Sequence, residues 1–166
     1  MSLNNIQLSP IVLQGLFKNA LIDLKTEQKQ EQKSSSNGFA TLGNNRRRVL
    51  IMVESENTMY LPDEQLNFLM GILAACNLTM EDVAILNIKK NKFVTYKTVE
   101  NELKSEKVFL FGVSPNEIEL PIDFPNYQIQ QYNNQVYLTA PTLSQFQANN
   151  VEKKKLWNCL KQIFSI

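Results

Sequence analysis

The sequence has no histidine among its 166 residues. Histidine is the commonest general base near neutral pH and the commonest metal ligand. Its absence removes Ser-His-Asp, Cys-His and His-ligated metal chemistry together. Cysteine is scarce as well. Cys76 and Cys159 have no second thiol near them in the chain, so no zinc-type spacing exists. Both read as buried thiols in a reducing compartment. No apolar run approaches the roughly 20 residues of a membrane span. The first residues lack the basic stretch, apolar core and small-residue cleavage site of a secretory signal, so a cytoplasmic location and no membrane partner are expected. Net charge is only +1, and no global field recruits nucleic acid. No residue pattern assigns a catalytic group, a metal or a cofactor.

Apolar residues make up 43% of the chain and charged residues 20%, as in an ordinary globular domain. The centre of the pattern is Val49-Leu50-Ile51-Met52-Val53. A continuous apolar run of this kind, bounded by charge and turn residues, reads as a strand covered on both faces. Pro62-Asp63-Glu64 then opens a helix carrying Leu66, Leu69, Met70, Leu73 and Ala74, with proline at the first helical position. A strand followed by such a helix is the first half of a parallel βαβ unit.

Further strands are expected at 83–88 and 108–113, with a helix from about Thr95 to Lys104 between them. Glu100 and Lys104 sit four apart on that helix, an exposed pair. Residues 127–132 and 135–139 form a hairpin, because Asn133-Asn134 suits the positive φ of a two-residue turn. Three glutamines make this hairpin the most polar part of the sheet and place it at an edge. A last helix covers about 150–164, with Val151, Leu156, Trp157, Leu160, Ile163 and Phe164 on its apolar face. Its lysines, Lys153, Lys154 and Lys155, suit either a solvated face or a contact with a partner or DNA.

Upstream, residues 9–24 form a separate amphipathic helix, capped by Ser9 with Pro10 in its first turn. Leu13, Leu16, Phe17 and Leu21 lead its apolar stripe. That stripe either packs on the chain's own domain or docks in a partner's groove. The expected organisation is an arm over 1–25, a polar linker over 26–46 and an α/β domain over 47–166. Within the linker only Phe39 and Leu42 are large apolar anchors. Arg46-Arg47-Arg48 closes it, either as a solvated approach to the first strand or as a contact to nucleic-acid phosphates.

The strand at 49–53, the helix through Leu73 and the segment 78–86 resemble the psi subunit family of bacterial DNA polymerase III. So does the closing Ala140-Pro141-Thr142-Leu143, with Ala148-Asn149, Lys155-Leu156-Trp157 and Leu160 after it. The likeness covers about residues 46–164. It implies a three-layer α/β/α fold with a mainly parallel central sheet, similar to uracil-DNA glycosylase, plus the N-terminal helical arm. Active glycosylases of that fold carry a Gly-rich, Pro-containing loop after the first strand and a histidine before a final proline-serine. Here the first loop is Glu54-Ser55-Glu56-Asn57-Thr58, and Ala140 precedes Pro141, so the base-flipping pocket is missing. The resemblance therefore implies a non-catalytic adaptor. Its arm, residues 1–25, would join the clamp loader, and its globular domain would bind a chi-like subunit. Two other readings remain at this point. One is a glycosylase-like enzyme using Glu54 and Glu56, which sit where open α/β sheets bind ligands. The other is a regulatory α/β domain without a replication role.

Overall fold

A computed structural model describes residues 38–166. The arm, with Leu13, Leu16, Phe17 and Leu21, and the linker up to residue 37 lie outside the described residues. The chain from Asn37 to Ile166 makes a unit of its own. Its strands are β1 (Thr41–Leu42), β2 (Val49–Val53), β3 (Val83–Asn87), β4 (Lys107–Phe111), β5 (Ile129–Tyr132) and β6 (Gln135–Ala140). Its helices are α1 (Asp63–Ala75), α2 (Tyr96–Leu103), α3 (Leu143–Phe146) and α4 (Asn150–Phe164). A 3-10 turn occupies Pro115–Ile118. Among the described residues no helix is long and apolar enough to cross a membrane.

The chain is thus α/β with one mixed sheet, in the order β1-β3-β2-β4-β6-β5. The four inner strands run parallel, and the two edge strands are antiparallel to their neighbours. In register, Ile51 lies between Ile85 and Phe109. Side chains alternate across the pleat and divide the core in two. Val49, Ile51 and Val53 join Ile85, Phe109 and Leu138 in one apolar cluster with Leu69, Leu73, Phe146, Leu156 and Leu160. Leu50 and Met52 join Leu86, Leu110 and Tyr137 in the other, with Val99, Ile118, Leu120 and Phe124. Fully burying one such side chain stabilises the fold by about 1.5–3 kcal/mol, which is why these five-residue strands need no polar face.

The expected linker ends earlier than residue 46. Phe39 is buried in the second cluster, and Thr41–Leu42 pairs with Leu86 and Ile85 of β3. The reason is local: Gly43, at φ 105, approaches the Val83 and Met80 carbonyls so closely that a Cβ would stand 2.2 and 2.6 Å from them. Pro62 is the N-cap of α1 rather than its first residue; its carbonyl accepts the Leu66 N–H at 2.9 Å. The Glu100–Lys104 pair does not form. Lys104 ends α2 in a left-handed conformation, and Glu100 instead accepts from Asn133 at 2.6 and 2.8 Å. The Asn133-Asn134 turn has φ 55 and 65, as its residues require, and β5 is an edge strand.

Both cysteines are buried, and burial pushes both thiols up. Cys159 donates weakly to the Tyr127 carbonyl at 3.4 Å. The Tyr127 hydroxyl donates to Glu152 at 2.5 Å, and Lys155 reaches the same carboxylate at 3.0 Å. These contacts, the tyrosine's first, hold the Glu152 carboxyl below its ordinary range. A folded-state pKa that is depressed gives stabilisation at neutral pH that is lost as pH falls through it, below the ordinary ~4.3. Tyr127→Phe should return the Glu152 titration toward the ordinary value, read by NMR pH titration of its side-chain carboxyl.

Candidate functional site

In an open α/β sheet, ligands bind beyond the C-terminal ends of strands where the strand order reverses. Here that point lies between β2, which leads to β3 on one side, and β4, which leads toward β6 on the other. On its β3 side the chain places its own groups. Asn87, wholly buried at the end of β3, accepts from the Ser55 and Lys89 N–H groups at 3.1 and 3.0 Å. Its amide donates to the Ser55 and Thr58 carbonyls at 2.7 and 3.0 Å. The Ser55 and Thr58 hydroxyls bond each other at 2.7 Å. The loop after β2 is therefore tied down on the crest by one side chain.

The two carboxylates of that loop are not brought together for acid–base work. Glu54 pairs with Lys89 at 2.8 Å. Glu56 is exposed, and its carbonyl accepts from Lys90. Past β4, Gly112 takes φ 74, and its N–H donates to Ala140 at 2.8 Å. The Thr142 methyl stands 2.4 Å from where a Cβ on residue 112 would lie. The final loop is thus seated directly on Gly112. Gly112→Ala should cost about 2–3 kcal/mol through strain and overpacking. Adding Thr142→Ser should recover part of that loss, measured by denaturant unfolding. The hollow beside this contact, about 600 Å³, has Asp123 as its one titratable lining side chain. Among the described residues no cluster of three His, Cys, Asp or Glu is placed to hold a metal.

Arg46, Arg47 and Arg48 lie at the opposite end of the sheet. The Arg46 and Arg47 N–H groups donate to the Glu81 and Asp82 carbonyls, both at 3.0 Å. The Arg46 guanidinium pairs with Glu81, and Arg48 pairs with Glu106 at 2.9 Å. Among the described residues Arg47 and Lys107 make no ion pair. The Thr79 backbone N–H, then its hydroxyl and the Arg47 and Arg46 charges, hold the Asp82 carboxyl below its usual range. The arginines line a shallow depression of about 320 Å³ with Lys107 and Phe164, where the Lys107 ammonium lies 5.7 Å from the ring centre. Two of the three arginines therefore serve exposed ion pairs, which are weak and open to exchange.

The most apolar concavity is elsewhere, between α1 and α4. It holds about 330 Å³ and is lined by Asn67, Phe68, Gly71, Ile72 and Ala75 on one helix and Lys153, Leu156, Trp157 and Leu160 on the other. The short α3 packs against both helices, and Phe146 stacks on Phe68 at 6.0 Å between ring centres. Nothing lies within 4 Å of a Cβ placed on Gly71, so the α1 backbone is open to close approach there. The Lys153 ammonium sits 5.6 Å above the Phe68 ring, at the rim. Met70, 45% exposed, and Val151, 61% exposed, are further exposed apolar side chains on the same two helices. Val151 therefore leaves the buried face on which its helical spacing placed it.

No protein-family model matches the chain, and no curated protein matches it. Its chemistry has to be read from these surfaces. A groove with apolar walls, a glycine floor and a basic rim is suited to the apolar face of a helix. The sequence held two signals for it: a glycine in a helix interior, Gly71, and the single tryptophan, Trp157. Helical spacing alone placed both on helices without saying that the two helices stand apart.

Proposed function

We propose that this chain is a non-catalytic adaptor of bacterial DNA replication, similar to the psi subunit of DNA polymerase III. The arm, residues 1–25, engages the clamp loader through Leu13, Leu16, Phe17 and Leu21. The globular domain holds a chi-like subunit in the groove between α1 and α4. The domain itself is read as a three-layer α/β/α unit similar to uracil-DNA glycosylase. Apolar clusters on both sides of the sheet and the parallel inner strands support that reading.

The observation that carries the proposal is the contrast between two places. The crest, where this kind of sheet binds ligands, is tied down over β3 and β2 by Asn87 and over β4 and β6 by Thr142 on Gly112, and the hollow beside that contact offers one titratable side chain, Asp123. The groove beside Trp157 is open and apolar. A site built for chemistry gathers several convergent polar groups; a surface built for assembly keeps apolar area exposed.

The test is a titration of the full chain with the clamp-loader complex and with the chi-like subunit from the same cell. Leu13→Asp with Phe17→Asp should abolish clamp-loader binding and leave the chi-like subunit bound. Gly71→Trp should do the reverse. Equal binding of both proteins to all three forms, or binding of neither to the unaltered chain, would refute the proposal.

A further inference from the structure

The two edges of the sheet are not finished alike. β1 is two residues long and is followed by Gly43 and the arginine triplet, so it offers a second strand little to pair with. Short edges and flanking positive charge are the usual protection against edge-to-edge pairing. β5 has neither charge nor proline. No charged residue occurs between Asp123 and Glu152, although charged residues make up 20% of the chain. Among the described residues no strand pairs with the outer side of β5.

The hairpin geometry says which backbone groups that outer side presents. A two-residue turn makes Tyr132 and Gln135 a hydrogen-bonded pair, and antiparallel pairs alternate. Gln130 is then bonded to Tyr137, while the N–H and C=O groups of Ile129 and Gln131 point outward. Gln131 is exposed, and Ile129 and Gln130 are half-buried.

We infer that β5 is a self-pairing edge, on which a second copy of this chain adds its own β5 antiparallel about a two-fold axis through Gln130. In that register Ile129 of one copy lies beside Gln131 of the other, and all their outward N–H and C=O groups are paired. Gln130 lies directly against Gln130 of the second copy. A two-fold axis sets the residue on it against its own copy, so a charge at position 130 would repel itself. The residue on the axis, Gln130, is uncharged, which suits a second copy, whereas an unrelated strand could tolerate charge of either sign there. The pairing is short, so the association is reversible and appears as concentration rises. It is independent of the groove between α1 and α4.

The test uses the full chain in sedimentation velocity, up to about 1 mM, a concentration at which even weak association is populated. The unaltered chain should shift from monomer to dimer over that range. Gln130→Lys and Gln130→Glu should each stay monomeric, since each sets like charges face to face. Mixed in equal amounts, the two variants should dimerise at least as well as the unaltered chain. Circular dichroism establishes that both variants are folded, and the mixture keeps the test decisive even if each is slightly destabilised. A monomeric unaltered chain overturns the inference; so does a mixture no more associated than its components. Gly71→Trp should leave the dimer unchanged, which separates this surface from the adaptor reading.

Discussion

Replacing Asn87 with leucine should lower the stability of the domain by about 3–5 kcal/mol. Leucine keeps most of the volume, so the loss is one of hydrogen bonds rather than of packing. Four backbone groups lose their partner: the Ser55 and Lys89 N–H groups and the Ser55 and Thr58 carbonyls. Each polar group stranded away from water costs about 1–3 kcal/mol, less where water can reach it. The sum is a large share of the roughly 5–15 kcal/mol that holds a domain together. Asn87→Asp tests the same account differently. Its carboxylate still accepts from the two N–H groups, but it cannot donate to the two carbonyls and carries a charge into a buried site. Both variants are checked by urea unfolding followed by circular dichroism. A loss below about 1 kcal/mol for the leucine variant would mean that the loop after β2 is held by something else.

Filling the groove should separate binding from folding. Gly71→Trp starts a large side chain where a Cβ meets no atom within 4 Å, beside about 330 Å³ of open groove. Affinity for the chi-like subunit should fall about 100-fold, the effect of losing a central apolar contact. Stability should hold or rise, because a glycine inside a helix costs about 0.5–1 kcal/mol relative to alanine. Gly71→Ala is the control for that gain: it should raise the unfolding midpoint and bind nearly as well. Trp157→Ala should weaken binding too, but it also removes packing against the core. The glycine variant is therefore the cleaner probe. A calorimetric titration in which Gly71→Trp binds like the unaltered chain would move the docking surface away from α1 and α4.

The apolar strands were legible because burial on both faces leaves no polar position to interrupt the run. β2, β3 and β4 all read that way, and α4 occupies the span its periodicity indicates. β1 was not legible. Two residues give no periodicity, and partners distant in sequence fix them: the β3 backbone, the Asn91 amide on Ala40 and the Val83 carbonyl against Gly43. Asn87 lies inside the strand expected at 83–88, and nothing in its neighbours says that residues 29 and 32 positions upstream close around it. The arginine triplet was plain in the sequence, but its pairing with Glu81 and Glu106 depends on strand register. The groove was hidden for a similar reason. Phe68, Ile72 and Trp157 share helical spacing with core positions, and spacing does not say that a concavity is left between their two helices.

On the adaptor reading, the surface between α1 and α4 does this molecule's work and the crest does not. Amide hydrogen exchange on the full chain, alone and with the chi-like subunit, addresses it directly. Slowed exchange over residues 67–75 and 153–160, with the loops 54–62 and 112–128 unchanged, is the predicted result. Protection confined to those two loops, with α1 and α4 unaffected, would contradict it.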